Sequence, residues 1–189
     1  MRHQGDPPEA PGGTIDAEFV REALERHERA LVGYARRLLG DLDRARDVVQ
    51  DTFLRLVRAD RAQVEPVLAR WLYTVCRNRA FDERRRSARH ARPLDGLDGR
   101  ASRAASPDSL PEAADEAARA RVAIDGLPEH VREVLVLRLS CGLAYADIAA
   151  VTGLSTSHVG VKVHEGMKTL RARLSVERPV RAANGGDVR

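Results

Sequence analysis

Residues 127–174 read LPEHVREVLVLRLSCGLAYADIAAVTGLSTSHVGVKVHEGMKTLRARL, and this stretch decides the fold. Its pattern indicates one helix followed by two more around a tight turn. Ala149 is small enough for two helices to approach, Gly153 can adopt the positive φ of the turn, and Val159 anchors the second helix in the core. A helix held in this way can enter the DNA major groove with its N-terminal residues against base edges. The alternative is a helical hairpin that only packs. Basic residues on and after the second helix favour DNA binding: Lys162, Lys168, Arg171 and Arg173.

Length, composition and net charge limit the size of the domains and the kind of partner that this chain can have. The chain has 189 residues, 43% of them hydrophobic and only 4% aromatic, which suits one average domain or two small ones with Leu, Val and Ala cores. A net charge of +4 and a pI near 9.6 suggest a polyanionic partner. Only two of the 32 basic residues are lysine, and a GC-rich genome also produces such arginine richness. The positions of the charges are therefore better evidence than their total.

Several classes of protein are disfavoured by what the sequence lacks. Cys76 and Cys141 are far apart in apolar helical surroundings, which predicts small buried residues rather than a disulfide or a zinc site. The first residues, MRHQGDPPEAPGG, contain no apolar run typical of a signal peptide, and no stretch approaches the ~20 apolar residues of a membrane span. We therefore expect a cytoplasmic protein without a metal, cofactor, small-molecule substrate or membrane insertion.

The hydrophobic pattern predicts an all-α protein of two small helical domains joined by a flexible linker, the second containing the helix-turn-helix. Apolar residues recur at steps of three and four on both sides of a stretch rich in Pro, Gly, Ser and Asp. No internal repeat or β-alternation is visible. The predicted organisation is a disordered tail at 1–13, a first domain at 14–90, a linker at 91–117, a second domain at 118–175 and a polar tail at 176–189.

Residues with strong local preferences predict where individual helices begin and end. Gly40 fits just past the first helix, and Asp41 or Asp43 can cap the second. A third helix is expected at about 67–86. Pro128 suits the first turn of the helix that precedes the helix-turn-helix.

The third helix of the first domain carries an unusual concentration of arginine. Residues 77–92 contain seven arginines against two acids, Asp82 and Glu83. Arginine clusters suit phosphate contacts, while Asn78 and exposed aromatic rings can read or stack unpaired bases. The alternative is a solvated face on which arginines and acids pair at helical spacing.

The second helix has a face of the opposite character. Asp47, Gln50 and Asp51 form an acidic and polar surface beside Phe53 and Leu54. Carboxylates facing DNA would be repulsive, so a protein partner with basic groups fits better. A plain exposed face is the alternative.

Three stretches in this order resemble bacterial RNA polymerase sigma factors of the extracytoplasmic-function class. DLDRARDVVQDTFLRLVR resembles their polymerase-binding segment, WLYTVCRNRAFDERRR the segment that melts and reads the −10 promoter element, and LPEHVREVLVLRLSCGLAYADIAAVTGLS the −35-reading domain. The resemblance covers roughly residues 16–175. It implies a non-enzymatic subunit that binds core RNA polymerase, recognises both elements of promoter DNA and promotes melting. It also implies a partner of the anti-sigma class.

The resemblance implies a role for individual residues. Contacts to the polymerase clamp would come from Asp47, Val48, Gln50, Asp51 and Phe53. The −10 element would be opened and held by Trp71, Arg77, Asn78, Asp82, Arg85 and Arg86. Ser155 would cap the recognition helix, and its −35 face would comprise Thr156, Ser157, His158, Val161 and Lys162. Phosphates would be held by Lys168, Arg171 and Arg173. The helix from Val131 to Leu139 would help to dock on the polymerase flap.

The chain departs from the family pattern at five positions near the helix-turn-helix. Ala144 and Asp147 stand where Ser and Glu are usual. Gly160 and Gly166 interrupt the recognition helix, where glycine costs up to about 1 kcal/mol. Glu165 stands where a basic residue is commoner.

Two other classes of function remain as alternatives. A helix-turn-helix repressor or activator acting without polymerase usually dimerises to match paired half-sites, and no dimerisation helix is evident here. A nucleic-acid enzyme would need more than Asp47 and Asp51 as imagined metal ligands. No Gly-rich phosphate loop, His/Cys cluster or activated serine accompanies them.

Overall fold

The computed structural model describes residues 15–90 and 111–176, and within those two ranges every regular element is helical. The all-α prediction is confirmed. The predicted tail at 1–13, the linker residues 91–110 and the tail from 177 lie outside the described residues. The first half comprises α1 (Ala17–Leu39), α2 (Leu42–Val57), α3 (Arg61–Val64), a 3-10 turn (Glu65–Val67) and α4 (Leu68–His90). The second half comprises α5 (Pro111–Asp125), α6 (Glu129–Leu139), α7 (Tyr145–Thr152) and α8 (Thr156–Val176).

Local capping chemistry defines α1 and α2. The Asp16 carboxylate accepts a hydrogen bond from the Phe19 amide at 2.8 Å, which starts α1. Gly40 ends α1 in the left-handed conformation (φ 75°), as predicted. Asp41 caps α2 by accepting from the Arg44 amide at 2.8 Å, so it, rather than Asp43, takes the role that the sequence left open between them.

The core of the first half forms where α1, α2 and α4 pack together. Leu31, Leu56 and Leu72 are fully buried, and each such side chain contributes about 1.5–3 kcal/mol. The rings of Tyr34 and Tyr73 meet edge to face with centroids 5.5 Å apart. The third predicted helix is therefore present, and as α4 it continues to residue 90, beyond the expected end at 86.

The second half begins earlier than the sequence pattern indicates. Helix α5 starts at Pro111, whereas the predicted linker extends to residue 117. The stretch EAADEAA is rich in strong helix formers but has no apolar stripe, and the prediction relied on that stripe. Pro128 also differs from its predicted place in the first turn: it is the residue just before α6, with an extended ψ of 140°.

The helix-turn-helix formed by α7 and α8 has the predicted geometry. Gly153 is left-handed (φ 76°), and its amide donates to the Ala149 carbonyl at 2.9 Å. The His158 amide donates to Ser155 Oγ at 3.2 Å, which caps α8. Val159 is fully buried, as the anchoring role requires.

Packing of α8 explains one of its two glycines. A Cβ at Gly166 would lie 2.5 Å from Leu135 Cδ1 and 2.9 Å from Val131 Cγ1, so glycine lets α8 approach α6 closely. A Cβ at Gly160 would meet only Tyr145 Cε2, at 3.8 Å.

The far end of α8 differs from the prediction. Instead of facing phosphates, the Arg173 guanidinium donates to the Ala123 carbonyl at 2.9 Å and to the Gly126 carbonyl at 3.3 Å. These carbonyls lie in the last turn of α5 and just beyond it, where the helix provides no N–H groups to donate to them. Arg173 therefore fastens α8 to α5.

Candidate nucleic-acid interface

The N-terminal part of α8 presents its side chains to solvent. Ser155, Thr156, Ser157 and His158 are exposed, and Val161 is 54% exposed despite being apolar. Lys162 is half-buried, and Lys168 and Arg171 are exposed farther along the helix. From Thr156 to Arg171 the helix rises about 22 Å at 1.5 Å per residue. The major groove is about 12 Å wide, so a helix of this length can place its first turns in the groove and its basic end beside the backbone.

Helix α4 places four of its six predicted DNA-contacting residues along one stripe. Spacings of seven, four and three bring together Trp71, Asn78, Asp82 and Arg85. Trp71 is only partly buried, whereas Tyr73 is in the core, so the candidate stacking ring is the tryptophan. Arg86 is exposed next to this stripe.

Two ion pairs within α4 agree in part with the alternative interpretation, in which its arginines and acids only pair with each other on a solvent-exposed face. Asp82 accepts a hydrogen bond from Arg85, and Glu83 accepts one from Arg86 at 2.9 Å. All four are exposed or half-buried, and such pairs contribute little to stability. They can be exchanged for phosphate contacts at low cost.

Arg77 lies on a different face of α4, where it meets the second half of the chain. Its Nε donates to Glu133 Oε1 at 2.7 Å, and its guanidinium lies 4.6 Å from the centre of the Phe81 ring. The same Glu133 oxygen accepts from the Tyr34 hydroxyl at 2.8 Å. Burial acts to lower the pKa of Arg77, but the hydrogen bond and charge of Glu133 outweigh it and raise that pKa. Burial, and then the Glu133 charge, raise the pKa of Tyr34 well above its ordinary value.

The predicted polymerase-binding residues of α2 divide between surface and core. Asp47 and Gln50 are exposed. Asp51 is half-buried and forms an ion pair with Arg79 of α4. Val48 and Phe53 are each only 6% exposed because α2 packs these apolar positions into the core. Val48 therefore has little surface to offer a partner.

An apolar groove between α1 and α2 was not predicted. Leu54 and Val57 are 50% and 47% exposed, and Phe53 contributes to the wall. The sequence signal was available, since Gln50, Leu54 and Val57 are spaced by four and three on a polar face of α2. Polar groups at the groove include Glu28, Arg29, Arg46 and Gln50.

The described residues contain neither a metal-binding cluster nor a membrane-spanning helix. Residues 15–90 and 111–176 contain no cluster of three or more His, Cys, Asp or Glu side chains arranged to hold a metal ion. Over the same residues, no helix is long and apolar enough to cross a membrane. The imagined metal pair of Asp47 and Asp51 also has a different explanation, since Asp51 pairs with Arg79.

Comparison with known proteins connects both halves to one family. Residues 23–90 match the family model of Sigma-70 region 2, and residues 117–170 match that of Sigma-70 region 4. The chain is 32% identical over 163 residues to the ECF RNA polymerase sigma factor EcfG of Rhodopseudomonas palustris, covering 85% of this chain and 87% of that protein. It is 34% identical over 165 residues to the ECF RNA polymerase sigma factor SigL of Mycobacterium tuberculosis, covering 84% and 90%.

Solved structures show the same fold. The sigma factor RpoE of Bartonella quintana, in complex with the anti-sigma factor NepR, matches with a TM-score of 0.61 at 24% identity over 86% of this chain and 100% of that chain. CnrH, in complex with the cytosolic domain of CnrY, matches with a TM-score of 0.54 at 25% identity over 86% of this chain and 92% of that one. A chain that carries both sigma regions in order and aligns with these relatives over most of its length belongs to the extracytoplasmic-function family of RNA polymerase sigma factors.

Proposed function

We propose that this chain binds core RNA polymerase, recognises the −35 and −10 elements of promoter DNA, and promotes duplex melting at the start of transcription. The observation that carries this proposal is the presence, in one chain, of an exposed recognition helix within the region 4 match and an exposed polar stripe on α4 within the region 2 match. The polymerase would perform the chemistry, in the cytoplasm, and this chain would supply promoter specificity. The units at 14–90 and 118–175 would act as the two DNA-reading domains.

Recognition of the −35 element would use the first turns of α8. Thr156, Ser157 and His158 are exposed hydrogen-bonding side chains at the end of the helix that would enter the major groove. Val161 offers an exposed apolar group of the kind that contacts a thymine methyl. Lys168 and Arg171 would position the helix through phosphate contacts, which carry affinity rather than sequence information.

Melting of the −10 element would use the stripe on α4. Extruding a base from the duplex costs a few kcal/mol, so an enclosing and basic surface must offset that cost. The half-buried Trp71 supplies a ring, Asn78 an amide for base edges, and Arg85 and Arg86 supply charge for the strand.

Binding to core polymerase would use the α1–α2 groove together with the exposed part of α2. Asp47 and Gln50 supply a polar and acidic edge, while Leu54 and Val57 supply the exposed apolar area that interface cores require. This assignment keeps the surface predicted from the sequence, but gives its apolar contacts to Leu54 and Val57 instead of Val48. Helix α6 would contribute to docking on the flap.

An anti-sigma protein is the proposed regulatory partner. The support is that both structural relatives form complexes, RpoE with the anti-sigma factor NepR and CnrH with the cytosolic domain of CnrY. Co-expression with candidate partners and co-purification would test this proposal.

Co-purification with bacterial core RNA polymerase, followed by run-off transcription from a genomic fragment library, tests the main proposal. We expect stoichiometric association and transcripts that share a two-element motif upstream of their starts. Failure to associate with core would refute the proposal. A stable dimer in sedimentation, together with tight sequence-specific binding of the free chain to duplex DNA, would favour the helix-turn-helix regulator instead.

A further inference from the structure

The end of α4 carries a serine that directly follows three arginines. Residues 83–87 read ERRRS, and Ser87 is the only serine or threonine of the chain with arginine at both the second and the third position before it. Protein kinases that select arginine bind such a run through acidic groups of their own, because opposite charges align the two surfaces. The sequence around Ser87 is therefore typical of a substrate of an arginine-directed serine kinase.

The Ser87 hydroxyl already contacts a group that can hold a phosphate. Its Oγ accepts a hydrogen bond from Arg44 Nη1 at 2.8 Å and donates one to Glu83 Oε1 at 3.4 Å. Arg44 lies in the first turn of α2 and is exposed, whereas Ser87 is half-buried. A phosphoryl group on Oγ would bring three acceptor oxygens to the Arg44 guanidinium, and the planar guanidinium can bind two of them at once.

The position of Ser87 in α4 makes the hydroxyl accessible to another protein. Helix α4 ends at His90, three residues beyond Ser87, and Arg84, Arg85 and Arg86 are exposed. Helix ends fray, and a kinase needs its substrate in an extended form. Binding of Ser87 in a kinase active site thus requires only the final part of α4 to open, and the core of the first half stays intact.

A phosphate at Ser87 would rearrange the charges around it. It carries a charge of about −1.5 to −2 at pH 7. It would attract Arg44 and repel Glu83, which pairs with Arg86 at 2.9 Å. The arginine-rich end of α4 would lose much of its positive charge, so its attraction for the phosphates of a nucleic acid would fall.

We propose that Ser87 is a phosphorylation site for an arginine-directed serine kinase and that Arg44 holds the phosphate. Ser87 Oγ forms a bond to the γ-phosphorus of ATP while the bond from that phosphorus to the β–γ bridging oxygen breaks. ADP leaves, and the hydroxyl proton passes to the catalytic base of the kinase. The phosphate then weakens the binding of α4 to the promoter strand, and this consequence alone rests on the proposed function.

Phosphorylation in vitro tests the site itself. The full-length chain is incubated with Mg-ATP and the catalytic subunit of cyclic-AMP-dependent protein kinase, which selects arginine at these two positions, and peptide mass spectrometry locates the phosphate. We expect phosphate at Ser87 and its loss from that peptide in Ser87→Ala. Absence of phosphate from Ser87, or phosphate only at Ser106, which has arginine at the third preceding position alone, would overturn the proposal.

Thermal unfolding of the phosphorylated and unmodified forms tests the role of Arg44. In Arg44→Gln the phosphate faces Glu83 without the compensating cation, so we expect the change in Tm on phosphorylation to be about 2–4 °C less favourable than in the original chain. The control is Arg58→Gln, which removes an exposed arginine just beyond the other end of α2 and should behave like the original chain. Equal changes in the two variants would overturn the assignment of Arg44.

Promoter opening by core polymerase tests the consequence for DNA. Permanganate footprinting should show at least about threefold less opening with the phosphorylated chain, whereas Ser87→Ala treated with the same kinase should open the promoter as the unmodified chain does. Equal opening by the phosphorylated and unmodified chains would overturn the effect on DNA. If the unmodified chain opens no promoter, the proposed function fails and this effect fails with it. The mass-spectrometric and thermal measurements contain no polymerase, so they decide the site independently.

Discussion

Two glycines in the same helix provide a sharp test of how α8 packs. Gly160 and Gly166 both have φ outside the left-handed region, so alanine fits the backbone at either position. An added Cβ at Gly160 makes one ordinary contact, with Tyr145 at 3.8 Å. An added Cβ at Gly166 would lie 2.5 Å from Leu135 Cδ1 and 2.9 Å from Val131 Cγ1, closer than real Cβ atoms approach. The two substitutions are chemically identical and differ only in their surroundings.

The magnitude follows from two opposing terms. Replacing glycine by alanine inside a helix stabilises by about 0.5–1 kcal/mol, and this gain applies at both positions. Overpacking a filled core costs about 1–3 kcal/mol, and this cost applies only at Gly166. We expect Gly160→Ala to raise the free energy of unfolding by about 0.5–1 kcal/mol. Because the helix gain cancels in the comparison, Gly166→Ala should be about 1–3 kcal/mol less stable than Gly160→Ala.

Urea unfolding followed by far-ultraviolet circular dichroism measures both values, and similar slopes against urea would show that the unfolded states are comparable. Combining Gly166→Ala with Leu135→Val, which shortens the side chain that obstructs the new methyl group, should cost less than the sum of the two single changes. If Gly166→Ala is as stable as Gly160→Ala, the close approach of α6 and α8 is wrong.

Three further outcomes are expected. Ala144→Ser should stabilise the chain by about 0.5–2 kcal/mol in thermal unfolding, because α7 begins at an extended Ala144 with no side-chain cap; an unchanged melting temperature would contradict this. Arg85→Ala with Arg86→Ala should reduce promoter opening, measured by permanganate footprinting, but should leave the association with core polymerase intact. Leu54→Asp should instead weaken association with core polymerase by tenfold or more. Loss of core association in both variants would show that the DNA-binding and polymerase-binding surfaces are wrongly divided. Burial raises the pKa of the Cys76 thiol to about 12, so the reactive thiolate is scarce near pH 8. Iodoacetamide should therefore modify Cys76 far more slowly in the folded chain than in urea, as measured by peptide mass spectrometry. Equal rates would refute the burial of Cys76.

Features set by neighbouring residues were predictable from the sequence. Gly40 and Gly153 end their helices as expected because few residues without glycine's freedom adopt a left-handed backbone, and Ser155 caps α8 because its hydroxyl reaches an amide three residues away. The apolar stripes likewise indicated which faces of the helices are buried. These inferences need only the chain's local chemistry.

Features set by contacts between distant helices were not predictable. Arg77 meets Glu133, 56 residues away, and Asp51 meets Arg79, 28 residues away, and no local pattern specifies either pair. Within α8 alone, Gly166 is unfavourable for helix formation. Its advantage is that α6 can approach closely, and that depends on residues of another helix. Arg173 was expected at phosphates for a similar reason, since its carbonyl partners belong to α5 and the turn that follows. The start of α5 was missed because its first residues favour helix without forming an apolar stripe.

Because Arg173 attaches one end of α8 to α5, a small tilt of α8 produces a large displacement of its other end. The helix is one continuous rod of 21 residues, about 31 Å long, with the candidate base-reading residues at one end and the Arg173 contact near the other. A tilt of about 10° around that contact displaces Thr156 by roughly 4.5 Å, more than the spacing of one base pair. A Cβ at Gly126 would lie 2.3 Å from the Arg173 guanidinium, so a substitution there acts at the fulcrum. The preferred distance between the two promoter elements can thus be altered by residues that never approach DNA.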